Sequence, residues 1–378
     1  MSAVLPDPTE RIREEARRLG FFAMGVARAG ALPKAGRFEE WLAKKMHGGM
    51  AYMERQMEKR NNPSLIPGDV RSVLVLGMNY HTGHPLTQDP LRGKISRYAW
   101  GDDYHQVILP RLRRLLKFIQ GINPAARGAC HVDTGPVMEK IWGAQTALGW
   151  MGKHSNLIAR SQGSWFFIGV VLLNIELEYD RPERGYCGTC TRCIPACPTG
   201  AIVAPYVVDA RHCISYLTIE LRGPIPRFLR PLIGNRIFGC DDCQEVCPWS
   251  RFARIASETR FRPRAGAHMP ELASLAGLSK AEFDRRFRGS AVRRATRDGF
   301  VRNVVVALGT SGDPRAIPAL AAALGDGSPL VRAHAAWALG RIGGVDAIAF
   351  LGRAALAERD TAVINEINLA AQSGPGES

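Results

Sequence analysis

Eight of the nine cysteines in this chain fall between Cys187 and Cys247, and no other feature restricts its fold as severely. They stand as Cys187-x2-Cys190-x2-Cys193-x3-Cys197-Pro198, then Cys213 alone, then Cys240-x2-Cys243-x3-Cys247-Pro248. The stretch around them is rich in Pro and Gly and short of long periodic elements. A piece of fewer than ~80 residues lacks the apolar interior to stand alone, so inorganic centres are expected to hold it together. The start of the chain is charged and shows no apolar leader core, and crowded thiols in a cytosolic protein point to ligation before disulfides. Cys130, outside the group, reads as a small buried residue.

The first run is similar to that of bacterial ferredoxins, in which three cysteines hold one 4Fe–4S cluster and the fourth, before proline, holds the other. Short spacings let one loop wrap a cubane, with thiolates converging on separate iron corners. The second run is one cysteine short, and Cys213 upstream is the natural replacement. By the crossover rule Cys187, Cys190, Cys193 and Cys247 share one cluster, while Cys197, Cys213, Cys240 and Cys243 share the other. A pair of zinc sites is the structural alternative, because C-x2-C pairs also build zinc ribbons. Ribbons, however, contribute two cysteines per knuckle, not three followed by Cys-Pro.

Residues 1–178 read as an α/β domain. An amphipathic helix is predicted over Pro8–Leu19, closed by Gly20, with strands at Val73–Met78 and Trp165–Leu173. Helices are predicted over Tyr104–Ile119 and Val137–Leu148, so strands and helices alternate as in a layered sheet. Residues 179–259 make the ferredoxin-like domain with two 4Fe–4S clusters, and residues 260–378 are helical and Ala-rich. There Ala307-Leu308-Gly309 recurs 31 residues later as Ala338-Leu339-Gly340, with Gly312 and Leu320 matched by Gly343 and Leu351. Two helices per unit, each unit burying its neighbour's apolar face, resembles HEAT-like repeats; an ordinary helical bundle is the alternative. The longest apolar run, Trp165–Leu173, is far short of the ~18 residues of a membrane span, so a cytoplasmic protein is expected. Lys plus Arg number 50 against 35 acidic residues, a net charge of +15, which favours a polyanionic partner over a merely basic enzyme.

Clusters move electrons singly, and a bare carrier needs neither the long segment before the cysteines nor the one after. The first domain is therefore expected to hold the acceptor. No G-x-G-x-x-G loop opens a helix after an early strand and no Walker A lysine is found, so nicotinamide binding is unsupported. Three polar segments stand out: Ser96–His105, Val132–Glu139 and Gly149–Asn156. Asp133 follows a strand-like stretch and precedes a Gly135-Pro136 turn that launches a helix. Either it points into the mouth of the sheet, or it is an N-cap or Asx-turn residue.

With these segments beside the cysteines, the sequence resembles the epoxyqueuosine reductases. The matching features are Ser96-Arg97-Tyr98-Ala99 with Asp103-Tyr104-His105, Asp133-Thr134-Gly135-Pro136, Gly152-Lys153-His154-Ser155-Asn156-Leu157, the whole cysteine pattern and the HEAT-like extension. The resemblance covers essentially the entire chain. It implies a cobalamin-binding N-terminal domain, similar to that of reductive dehalogenases, loaded with cob(II)alamin. It further implies reduction of epoxyqueuosine to queuosine at the wobble position of tRNA, with electrons from an external single-electron donor relayed by the clusters. The family binds cobalamin base-off, which agrees with the missing D-x-H-x-x-G motif: Asp103-Tyr104-His105 is followed by Gln106. Asp133 takes the family's proton-donor position. A carboxyl that donates near neutral pH must titrate well above ~3.9, which burial against a corrin would bring about.

Arg60, Tyr98, His105, Asp133, Lys153, Ser155, Asn156 and Ser215 are the candidate contacts to cobalamin or substrate. Arg222, Arg227, Arg230, Arg285, Arg286 and Arg294 are candidates for tRNA phosphates, whose neutralisation makes binding weaken steeply with salt. The modified base must be splayed out of its loop to be reached. The expected protein is a monomer with no membrane partner. Two rivals explain part of the pattern: a small-molecule reductase related to reductive dehalogenases, and a two-cluster electron-transfer protein.

Overall fold

Four strands form the central sheet in a computed structural model that describes residues 7–33, 36–66 and 68–372. Their order is Ala23–Arg28, Ser72–Asn79, Phe166–Leu173, Gly128–His131, and every neighbouring pair is antiparallel. The continuous apolar runs are what strands buried on both faces require, whichever way they pair. Leu74, Leu76, Met78, Val171 and Leu173 face one side, with the helices Pro8–Arg18 and Tyr104–Ile122 packed over them through Ile12, Val107, Ile108, Leu112 and Leu115. Val73, Val75, Val170 and Leu172 face the other side, against Trp142, Leu148 and Leu157. Two-residue alternation thus loads two separate cores from one sheet.

The helix expected over Val137–Leu148 is confined to Glu139–Gly143. Side chains capture the backbone that would have continued it. Thr146 Oγ1 donates to Gly143 O at 2.8 Å and accepts from Leu148 N at 3.1 Å. Asp180 Oδ2 accepts from Ala147 N and from Val26 N, both at 3.0 Å, pinning this turn to the edge strand. Gly25 makes room for it: a Cβ there would lie 2.2 Å from Thr146 Oγ1.

The cysteine-bearing stretch shares its apolar interior with the helices that follow. One buried cluster runs from Ile95 and Trp100 through Leu217, Ile225, Ile237 and Phe238 to Leu272, Phe300, Trp337 and Ala370. Short strands Lys94–Ile95 and Arg236–Phe238 pair in parallel across it. Arg302, fully buried in the helix Thr296–Ser311, donates to the carbonyls of Leu217 at 2.6 Å, Leu221 at 2.9 Å and Gly223 at 2.7 Å. Its neighbour Asn303 donates to Thr218 O and Ile237 O. Burial pulls the Arg302 guanidinium down to about 9, so it still carries its charge at neutral pH.

The helices Thr296–Ser311 with Ile317–Ala323, and Pro329–Ile342 with Val345–Ala357, stack as successive pairs, followed by Thr361–Gln372. The recurring Ala-Leu-Gly marks their crossings. A Cβ on Gly309 would fall 2.6 Å from Ala338 Cα, and one on Gly340 would fall 2.7 Å from Ala370 Cβ. Each glycine admits the alanine of the next unit, which is why the triplet repeats. No helix among the described residues is long and apolar enough to cross a membrane.

Candidate active site

The first cysteine loop is a chain of tight turns. Cys190 N donates to Cys187 O at 2.9 Å, Ile194 N to Thr191 O at 2.9 Å, and Cys197 N to Ile194 O at 3.2 Å. Ala201 N donates to Cys197 Sγ at 3.2 Å. None of the nine cysteines is disulfide-bonded. Cys193 lies within electrostatic reach of Cys187, Cys247 and Cys190, and Cys243 within reach of Cys213, Cys197 and Cys193. Burial pushes Cys193, Cys213 and Cys247 up, and Cys240 and Cys243 much further up. Such thiols ionise when a strongly charged iron centre offers itself as partner. Among the described residues no three His, Cys, Asp or Glu side chains are gathered tightly enough for a single metal ion.

Ser96 and Arg97 anchor the second cysteine loop. Ser96 Oγ donates to Asp241 Oδ1, and Arg97 N donates to Asp241 Oδ2 at 2.8 Å. Burial pushes Asp241 up to about 6. Ser215 hydrogen-bonds the Cys213 thiol.

Asp133 sits just past the strand Gly128–His131 with φ of 52°, a left-handed backbone that costs a non-glycine residue about 1–3 kcal/mol. Gly135, at φ 100°, closes the turn where a Cβ would strike His131 Nδ1 at 2.7 Å. Tyr104 Oη donates to Asp133 Oδ2 at 2.5 Å. Tyr104 is itself clamped, stacked on Phe167 at 4.4 Å and 9° and on His105 at 4.1 Å. Asp103 caps this helix start, accepting from His105 N at 3.0 Å and bonding His105 Nδ1 at 2.7 Å. Burial opposes the His105 imidazolium, but the Asp103 bond outweighs it and the pKa rises. Tyr98, edge-on to Tyr104 at 6.2 Å, is pushed up by burial and then by the charge of Asp133.

Opposite them, Lys140 Nζ donates to Asn156 Oδ1 at 2.7 Å and to Ser155 O at 3.4 Å. Lys140 is open to water, yet surrounding protein desolvates it enough to pull its pKa down. Its charge feels Asp133 on one side and Cys243 and Cys213 on another. Ser155, like Asp133, holds a left-handed backbone, at φ 62°. Burial pushes Glu139 up to about 7 and His154 down to about 4. Glu139 Oε1, His131 Nε2 and His154 Nε2 are buried with no hydrogen-bond partner among the described residues. Unpaired polar atoms of this kind await a polar ligand, and a corrin ringed by amide arms suits them.

Tyr98 and His105 lie within electrostatic reach of Asp133, Ser155 and Asn156 join them through Lys140, and Arg60 joins through Tyr52 O at 3.1 Å and the charge of Glu139. Lys153 does not: its Nζ donates to Gly188 O at 2.7 Å, on the first cysteine loop. Arg230 differs from expectation as well. It is 3% exposed, donates to Glu366 and to Ile225 O, and faces no solvent a phosphate could enter. Arg227 is half-buried against the same Glu366. Arg222 donates to Arg294 O at 2.8 Å, and Arg294 pairs with Glu220 through two bonds of 2.9 Å while lying 5.8 Å over Tyr52. Arg285 and Arg286 are exposed. Lys140, Glu139, Tyr52 and the role of Tyr104 escaped the sequence reading. Two charges directly after an apolar turn were the available signal for Glu139 and Lys140.

Eight cysteines gathered near a carboxylate on a left-handed backbone mark a redox protein of the iron–sulfur class. Residues 186–250 match the family described as 4Fe-4S double cluster binding domain, residues 60–134 that of Epoxyqueuosine reductase QueG, DUF1730, and residues 289–371 that of HEAT repeats. Epoxyqueuosine reductase of Xanthomonas campestris pv. campestris is 43% identical over 355 residues, covering 91% of this chain and 100% of that protein. The Escherichia coli K12 epoxyqueuosine reductase is 41% identical over 336 residues, covering 87% of this chain and 88% of that one. A crystal structure of epoxyqueuosine reductase with an epoxyqueuosine-modified tRNA-Tyr stem loop superposes with a TM-score of 0.89 at 29% identity, over 96% of this chain and 98% of that one. The Bacillus subtilis enzyme, solved with the loop of a catalytic aspartate swung out of the active site, gives 0.89 at 28% identity, over 97% and 98%. The chain belongs to the epoxyqueuosine reductase family, and it is an oxidoreductase.

Proposed function

We propose that this chain reduces the epoxide of epoxyqueuosine at the wobble position of a tRNA, giving the alkene of queuosine and water at the expense of two electrons and two protons. The observation that carries this reading is the placement of Asp133. It stands on a left-handed backbone, gripped by Tyr104 and within electrostatic reach of Lys140, whose charge also feels Cys213 and Cys243. Cob(II)alamin, when bound, supplies low-valent cobalt as the reductant, since the cofactor carries the hard chemistry and the protein orients and protonates. Arg60, Tyr98, His105, Ser155 and Asn156 would hold it, joined by Lys140, with the orphaned Glu139 and His154 atoms as further partners. Asp133 delivers a proton to the alkoxide left by the opened epoxide, and Tyr104 holds the carboxyl in place.

Cys187, Cys190, Cys193 and Cys247 ligate one 4Fe–4S cluster, and Cys197, Cys213, Cys240 and Cys243 the other. Arg285, Arg286, Arg222 and Arg294 meet the tRNA backbone. Residues 1–178, 179–259 and 260–378 serve as the cofactor, cluster and tRNA portions of a cytoplasmic monomer. The test is anaerobic reconstitution with iron, sulfide and cobalamin, followed by nucleoside analysis of tRNA bearing epoxyqueuosine. D133N should keep iron and cobalamin while losing about 100-fold or more in turnover, the usual worth of a general acid. Near-normal turnover would reject the role of Asp133; zinc in place of iron, or free cobalamin, would reject the whole reading.

A further inference from the structure

The two proposed cysteine groups differ in their surroundings. Lys140 reaches Cys243 and Cys213, which belong to the inner group. The loop of the other group carries Gly188, Thr189, Thr191 and Arg192 in the open. An aromatic block is built directly onto this outer group. Tyr186 adjoins Cys187, and Trp249 stands two residues beyond Cys247. Trp150 bridges them, 5.0 Å from Tyr186 and 4.9 Å from Trp249 between ring centroids. Trp249 in turn meets Phe252 at 5.5 Å, and Phe252 is 42% exposed.

Charge around this block has one sign. Arg184, Arg192 and Arg251 are exposed and make no salt bridge among the described residues. The nearby acids are already neutralised from within: Glu183 by Arg160, and Glu245 by Arg97. Trp150 is buried and Tyr186 and Trp249 are half-buried, so Phe252 is the ring this block presents, and an exposed aromatic among arginines has the composition of a protein interface core. Yet no tight partner is needed, because redox encounters bury less than about 1,200 Å² and depend on charge for their rate.

We propose that this aromatic and arginine face is the landing surface for a small acidic protein carrying one electron at low potential, which reduces the outer cluster. The inference rests on the two-cluster reading above. In each encounter the reduced carrier gives one electron to an oxidised cluster and leaves oxidised; no bond or proton moves. Two encounters supply the two electrons that one epoxide consumes. The positive rim steers an acidic carrier and accelerates the encounter, an effect that salt removes.

The probe is a purified acidic plant-type 2Fe–2S ferredoxin, with the reconstituted holoenzyme as its target. Stopped-flow absorbance follows bleaching of the 4Fe–4S clusters, and calorimetry follows binding of the oxidised ferredoxin, which requires no turnover. R184E/R192E/R251E should slow bleaching by ferredoxin about tenfold or more at low salt and abolish the calorimetric signal. Reduction by dithionite and affinity for tRNA should be unchanged. The gentler R184Q/R192Q/R251Q should slow bleaching about threefold, and F252A should slow it without altering its salt dependence. Wild-type rates in the charge-reversed protein, independent of salt, would overturn the proposal. So would lost tRNA affinity with intact ferredoxin kinetics, which would give this face to RNA. Should the wild-type holoenzyme show no cluster absorbance for dithionite to bleach, the two-cluster reading itself falls, and this proposal with it.

Discussion

Removing one hydroxyl, in Tyr104→Phe, isolates what holds the Asp133 carboxyl in place. The ring has its own support, stacked 4.4 Å from Phe167 and 4.1 Å from His105, so phenylalanine should keep its position and the fold. What disappears is the 2.5 Å bond to Asp133 Oδ2. Hydrogen bonds to charged groups contribute about 1.5–3 kcal/mol, and the openness of Asp133 to water reduces that to about 1–2 kcal/mol. The left-handed backbone of Asp133 pulls the other way with about 1–3 kcal/mol of strain. The two nearly balance, so loss of the bond should leave the carboxyl in position a five- to thirtyfold smaller fraction of the time. Turnover on tRNA bearing epoxyqueuosine should fall by that factor at saturating substrate. Thermal midpoint, iron content and bound cobalamin should match the parent. Undiminished turnover would show that Asp133 is held by something else and would refute the reasoning.

Other perturbations test the frame. Arg302→Met strips donors from the buried carbonyl of Leu217, at about 1–3 kcal/mol, and from the part-buried carbonyls of Leu221 and Gly223, at somewhat less each. Denaturant unfolding should register a loss of about 3 kcal/mol or more, with reduced iron content because those carbonyls follow Cys213. Gly340→Val drives a side chain into Ala370 and should cost about 1–3 kcal/mol by the same measurement, whereas Gly352, with open space around it, should accept alanine almost silently. The Arg332 guanidinium, bonded at 2.7 and 2.9 Å, holds Glu358 down to about 2 from the ordinary 4.5. The folded pKa is the lower one, so the pair stabilises fully above pH 4.5 and loses its contribution as pH falls toward 2. Arg332→Gln should therefore cost about 1–2 kcal/mol at pH 7, after allowance for solvent screening, and almost nothing at pH 2.

Much of this protein is written locally. Apolar runs place the strands Ser72–Asn79 and Phe166–Leu173, because a strand covered on both faces must be apolar at successive positions. The cysteine spacings predict a loop of tight turns, and a 31-residue echo marks glycines that admit the next helix. Ligand spacing and helix crossing are short-range geometry, so a short stretch of sequence suffices to state them.

Tertiary structure settled what depends on partners distant in the chain. Val137–Leu148 has a helical pattern, yet Asp180 and Thr146 take its backbone groups and end the helix early. Arg230 looks like its neighbours in sequence but turns inward because Glu366, on the last helix, is there to receive it. Lys153 goes to the first cysteine loop while Lys140, unremarkable in sequence, bonds Asn156. Periodicity reports which faces are apolar; it carries no record of which charge a buried carbonyl or carboxylate will capture once the chain has closed.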